Sequence, residues 1–199
     1  MNALDHLVVP KLFSSIERND ILESMIHIEK LSDVNTKWMN MSILMQAALW
    51  GSIEVTSRLL TLGVNVDYNS HKAGTALHCA ILRGHTNVAL LLIKSGANPK
   101  ATLETTGLTP THLSCIKGNS LVLKTLLEHG AEVDMKMLGG MAPVHYTPWS
   151  NNTRILDLLM RYGADIFLLD ENGKSALNYA EELSNKSMYA RILEYMGCK

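Results

Sequence analysis

Apolar residues fall in short paired segments along this chain. Val88, Leu91, Leu92 and Ile93 form one stripe at helical spacing, and Val122, Leu126 and Leu127 form a matching stripe further on. Before each stripe comes a short segment carrying small residues, such as Ala47 and Ala48 or Ala80, which let a neighbouring helix approach closely. A loop containing Gly51-Ser52, Gly84-His85 or Gly118-Asn119 separates the two segments, with Gly supplying the positive φ of a helix end. The pattern predicts a helix, a tight reversal and a second helix antiparallel to the first.

The helix pairs recur. SILMQAA from Ser42, TALHCAI from Thr75, TPTHLSC from Thr109, APVHYTP from Ala142 and SALNYAE from Ser175 begin 33 or 34 residues apart. A Gly stands twenty-one residues after each of the first four starts, at Gly63, Gly96, Gly130 and Gly163, and opens GVNVD, GANPK, GAEVD or GADIF. A unit of this size cannot bury its apolar face alone, so the copies must stack. The one extra residue, within ATLETTG, is most easily absorbed at an exposed turn. Pro148 lacks an amide hydrogen, so the first helix of its copy should be shortened or distorted. Ala73-Gly74 moves the turn glycine by one residue ahead of the copy that starts at Thr75.

These residues resemble the ankyrin repeat. TPTH at Thr109, HGAEVD at His129 and DENGKSAL at Asp170 stand close to that family's pattern, and the match runs over nearly the whole chain. The resemblance implies an all-α fold, an ankyrin-repeat solenoid of about six helix-turn-helix repeats with protruding hairpin turns. The repeats would span approximately 5–37, 38–70, 71–104, 105–137, 138–170 and 171–199, in a single domain over 1–199. LFSSIERND at Leu12 reads as the first helix and turn of a degenerate first repeat, and EELSNKSMYARILEYMGCK as a polar C-terminal cap.

Composition narrows the function. With a formal net charge of −1 and no Lys/Arg cluster, the chain has no field to hold a nucleic acid or an acidic membrane surface. The longest apolar run, Val88 to Ile93, is far short of the roughly 20 residues of a membrane span. MNALDHLVVPKLF lacks the features of a signal peptide, which leads us to expect a cytoplasmic or nuclear protein. Cys79, Cys115 and Cys198 give no disulfide framework. The sequons at Asn40, Asn151 and Asn185 are then chance matches.

Eight histidines invite a metal-dependent enzyme as an alternative, with His78 and Cys79 or His112 and Cys115 imitating ligand pairs. His78, His112 and His145, however, share the Thr-x-Leu-His position, where the family's His and the Thr before it hydrogen-bond to backbone and brace the turn. Neither a phosphate loop nor an HExxH or GxSxG motif occurs. Asp67, Asp134 and Asp165 read as turn formers at one hairpin position. Asp67 and Asp134 also resemble sites that an oxygenase modifies in ankyrin repeats. No cofactor or metal is expected, and the chain is not expected to be an enzyme.

The family binds proteins through its turn tips and first-helix surface. Carried over, those display positions include Trp38, Met39, Met41, Leu49, Trp50, Leu82, Arg83, Ile116, Lys117, Leu138, Met141 and Trp149. All three tryptophans fall on this set and are expected to be largely exposed. Arg83 and Lys117 would add a small basic ridge. The expected function is a monomeric, non-catalytic module that binds another protein on its concave face, masking or inhibiting it. The alternative is an adaptor that bridges two proteins.

Overall fold

The computed structural model describes residues 3–197, so Cys198 lies outside the described residues. The chain divides into two compact units, Met1–Ala101 and Thr102–Lys199, each described by itself.

In the first unit α1 (Ala3–Glu17) and α2 (Ile21–Ile28) form one pair, α3 (Ile43–Trp50) and α4 (Ile53–Thr61) a second, and α5 (Ala76–Arg83) and α6 (Thr86–Lys94) a third. First helices α1, α3 and α5 pack in order, as do second helices α2, α4 and α6. A hairpin of β1 (Lys37–Trp38) and β2 (Met41–Ser42) precedes α3, pairing Trp38 with Met41. Its two central residues, Met39 and Asn40, both have positive φ, as in the primed turns that suit tight hairpins. Leu44, Ala47, Ala48, Leu59, Leu77, Ala80, Ile81, Val88 and Leu92 are buried, as their periodicity requires. Each buried Leu contributes about 2 kcal/mol, against about 1 kcal/mol for a helix cap. The apolar stripes therefore dominate the stack.

The first helix begins earlier than LFSSIERND implies. Pro10 lies inside α1 and reads in sequence as a breaker. Val8, Val9, Leu12, Phe13 and Ile16 nevertheless form one buried stripe, which offsets the proline's cost of about 3 kcal/mol.

The second unit holds α7 (Pro110–Lys117), α8 (Ser120–Glu128), a 3-10 helix (Pro143–Trp149), α9 (Arg154–Arg161), α10 (Ala176–Glu182) and α11 (Lys186–Tyr195). The first-helix elements α7, the 3-10 helix and α10 pack in order, and α8 packs on α9. Cys115, Leu123, Val144, Ile155, Leu156, Leu159, Ala180, Met188 and Ile192 share its core. The inserted residue sits at a turn tip. Leu103 donates to Leu108 across that tip, one residue wider than the Met137–Met141 and Asp170–Lys174 closures.

Neighbouring repeats are tied at three levels. At the hairpins, the Asn65 amide donates to Asn35 Oδ1 at 2.7 Å, Asn98 to Asp67 Oδ1 at 2.8 Å, and Asp165 to Asp134 Oδ2 at 3.0 Å. Asp165 is a turn former as expected, accepting from Phe167 N–H, but it does not share the hairpin position of Asp67 and Asp134: it stands two positions earlier. At the mid-repeat loops, His85 Nε2 meets Leu49 O at 3.1 Å, while Asn152 Nδ2 donates to Gly118 O at 2.9 Å. Gly51, at φ +73°, is doubly constrained, because a Cβ there would collide with the His85 ring.

The third level is the bracing histidine. Thr109 N–H donates to His112 Nδ1, Thr109 Oγ1 lies 2.8 Å from the same nitrogen, and His112 Nε2 reaches Met141 O at 3.2 Å. Since Nδ1 accepts, Nε2 carries the proton. His145 repeats the arrangement, accepting from Ala142 N–H at 3.0 Å and reaching Leu168 O at 3.1 Å. Ala142 has no hydroxyl, so only half of the reciprocal cap survives there. Burial pushes the His112 pKa down to about 4. Burial likewise raises Cys79 to about 11 and moves Cys115 upward, leaving both as inert packing groups.

Candidate protein-binding surface

In an α-helix, residues three apart are offset around the axis; in a 3-10 helix they eclipse. Pro148 removes an amide donor, and the segment Pro143–Trp149 winds as a 3-10 helix, the distortion expected from the sequence. Tyr146 and Trp149 are therefore stacked on one face, with ring centroids 5.4 Å apart. Tyr179, from α10 of the next repeat, lies 5.2 Å from Trp149 on the other side. His112 abuts Tyr146 edge-on at 5.8 Å, and His145 abuts Tyr179 at 6.3 Å. The bracing histidines thus back an aromatic row whose central ring, Trp149, is 44% exposed.

The row is fixed from beneath. Tyr179 donates to Asp170 Oδ2 at 2.6 Å, and Asp170 also accepts from the amides of Asn172 and Lys174. Burial and the Asp170 hydrogen bond push the Tyr179 hydroxyl up to about 12. Burial opposes ionisation of Asp170, but these hydrogen bonds outweigh it and hold its carboxyl below the ordinary range. The Lys174 ammonium lies 5.4 Å from the Tyr179 ring centroid and pairs with Glu182 at 2.7 Å. Asn185 Nδ2 donates to Pro148 O and Ser150 O at 2.9 and 3.1 Å, securing the end of the 3-10 helix.

The first unit places its display residues at two levels. Trp50 and Leu82, at the ends of α3 and α5, are 42% and 51% exposed, and Arg83 is exposed beside Leu82. Leu49 is half-buried. Trp38, Met39 and Met41 belong to the hairpin at the opposite end of α3, about 12 Å from Trp50 at 1.5 Å rise per residue. Met39 is 83% exposed, but Trp38 is half-buried because α1 packs on its strand. Trp38 therefore departs from the expected exposure of all three tryptophans. In the second unit Lys117 is exposed, Leu138 is 66% exposed at a turn tip, and Ile116 and Met141 are half-buried. Tyr146 and Tyr179 are not among the display positions read from the sequence. Both stand four residues after a repeat start, and that shared register is the signal that could have found them.

Among the described residues no three of His, Cys, Asp and Glu converge as a metal site, and no helix is long and apolar enough to cross a membrane.

The family model for ankyrin repeats (3 copies) matches residues 12–103 and 100–170. The chain belongs to the ankyrin-repeat family. An ankyrin repeat protein of Rickettsia bellii (strain RML369-C) is 30% identical to it over 142 residues, 68% of this chain and 56% of that protein. Ankyrin repeat and SOCS box protein 11 of Danio rerio is 39% identical over 92 residues, 46% of this chain and 30% of that protein. This ankyrin-repeat chain thus spans about half or less of either curated relative. Its fold also matches a chain in the solved complex of the predatory endopeptidase Bd0816 from Bdellovibrio bacteriovorus with immunity protein Bd3460. That match has a TM-score of 0.83 and 25% identity, covering 92% of this chain and 97% of that one. Ankyrin repeats are protein-interaction modules and are generally non-catalytic.

Proposed function

We propose that this ankyrin-repeat protein is a non-catalytic binding module that docks another protein on its first-helix face and masks it. The observation that carries the reading is the aromatic row of Tyr146, Trp149 and Tyr179. Trp149 packs between two tyrosines whose hydroxyls are hydrogen-bonded, so the row loses little side-chain entropy on association and its contacts convert efficiently into affinity. Trp and Tyr are also the residues enriched at interface hot spots. In the first unit Trp50, Leu82 and Arg83 are the anchors, with Leu49 half-buried beside Trp50 and Trp38, Met39 and Met41 at the hairpin end of α3. Ile116, Lys117, Leu138 and Met141 flank the row in the second. The match to a chain from an endopeptidase–immunity protein complex supports masking of a partner. A cytoplasmic or nuclear site of action is part of the proposal.

The test is capture of the partner from its own cell type, followed by titration with variants. Trp149→Ala and Trp50→Ala should each weaken binding tenfold or more, about 1.4 kcal/mol, at unchanged melting temperature. Full affinity in both variants would remove the first-helix face from consideration.

A further inference from the structure

The opposite side of the second unit carries a different surface. A cleft of about 380 Å³ opens between α8 and α9, with Leu121 and Leu158 as its apolar lining. Leu121 is exposed, although nothing in the repeat pattern requires an apolar residue there. Lys124, Arg154 and Arg161 border the cleft, and Asp157 is the one acid among them. Asp157 is already committed: it accepts from Arg191 Nε at 2.8 Å and from the Tyr195 hydroxyl at 2.9 Å. Lys124 lies 3.6 Å from Glu128 in an exposed pair that contributes little. Neither Arg154 nor Arg161 forms an ion pair among the described residues, although, against burial, the Arg161 charge joins the Arg191 and Tyr195 hydrogen bonds in holding the Asp157 carboxyl below its ordinary range. Arg154 and Arg161 stand one at each end of α9, seven residues apart on one helix stripe with Leu158 between them. A chain with net charge −1 thus presents a locally cationic rim around an apolar lining.

We propose that this cleft binds an acidic peptide segment of a protein, inserting one Leu-sized side chain against Leu121 and Leu158 with carboxylates on Arg154 and Arg161. Charge complementarity selects the occupant. Arginine forks pair carboxylates in two parallel hydrogen bonds, and the apolar lining rewards a side chain between them. A basic or purely polar segment would leave the rim or the lining unmatched. The site stands apart from the first-helix face, so a segment bound here leaves the aromatic row free, as a bridging adaptor needs.

The probe is a fluorescein-labelled peptide of repeating Glu-Glu-Leu, titrated with the full chain by anisotropy at low salt. Matched Glu-Glu-Ser and Lys-Lys-Leu peptides serve as controls. The Glu-Glu-Leu peptide should bind at least tenfold more tightly than either control and weaken as salt rises. Arg154→Glu with Arg161→Glu should reduce binding at least tenfold, and Arg154→Gln with Arg161→Gln by a smaller factor, both at unchanged melting. Trp149→Ala should leave it unchanged, which separates this site from the first-helix reading. Equal binding of all three peptides, no loss on charge reversal, or loss with Trp149→Ala instead would overturn the proposal. Self-association abolished by the same charge reversal would assign the cleft to a second copy of the chain and overturn it too.

Discussion

Replacing His112 with Asn should make the variant less stable than the parent at pH 7 and reverse that order near pH 4. The sixth repeat shows what Asn can do at this position: Asn178 Oδ1 accepts from Ser175 N–H at 2.9 Å, as His112 Nδ1 accepts from Thr109. The His112→Asn side chain would keep the local cap but lose the reach of Nε2 to Met141 O and the edge contact with Tyr146. One buried bond and the lost packing cost about 2 kcal/mol at neutral pH. Acidification works the other way. The native pKa of about 4 lies below the ordinary 6.5, so between those values the unfolded chain binds a proton that the folded chain refuses. The parent therefore loses stability as pH falls through that window, by about 3 kcal/mol once pH reaches 4, and little more below it. Other titrating groups are common to both proteins, so the difference between them isolates His112. Urea unfolding followed by circular dichroism at pH 7, 6, 5 and 4 reads that difference directly. A gap that stays constant across the series would refute the claim that His112 is neutral and buried in the fold.

Gly51→Ala should destabilise the first unit by about 2 kcal/mol or more, combining a positive-φ penalty with the clash against the His85 ring. His85→Ala, added to it, should recover part of the loss in a thermal-melt double-mutant cycle; strict additivity would mean the ring and the glycine do not interact. Pro148→Ala should lengthen the helical segment and rotate Trp149 away from Tyr146. Far-ultraviolet dichroism would then gain helix signal while Trp149 emission shifts to the red, and an unchanged spectrum would show that the proline does not set the winding. Asp67→Ala should cost about 1 kcal/mol by orphaning the Asn98 amide, read by faster hydrogen exchange at Asn98.

Helix pairs, loop glycines and bracing histidines are legible in the sequence because each repeats the same local physics at a fixed period. His112 and His145 occupy one register, and in both Nδ1 accepts from the amide three residues back while Nε2 reaches a carbonyl of the next hairpin, Met141 O or Leu168 O. Features peculiar to one repeat are harder to see. The early start of α1 is hidden because Pro10 signals a break, and only the buried stripe from Val8 to Ile16 overrides it. Asp165 reads as equivalent to Asp134, yet one caps its own turn while the other accepts from its neighbour. That distinction depends on which amide a carboxylate faces across the stack, and no single repeat contains it. Trp38 reads as exposed because its register is a display position; the packing of α1 on its strand half-buries it.

The aromatic row ties the largest departure from the repeat pattern to the best candidate surface. Pro148 costs the fifth repeat an α-helical turn, which a neutral lesion would leave uncompensated. Here Asn185 donates to both Pro148 O and Ser150 O, Asn152 takes over the loop contact that His85 makes elsewhere, and Tyr179 is anchored on Asp170. Three separate side chains thus stabilise a winding whose visible product is Trp149 held between two tyrosines. Local rules broken with compensation nearby are what a functional site leaves in a sequence that otherwise obeys them. A relaxed proline lesion predicts no such support: Asn185→Ala would then alter stability alone. A built surface predicts that Asn185→Ala also weakens partner binding by loosening Trp149, and the ratio of the two losses decides between them.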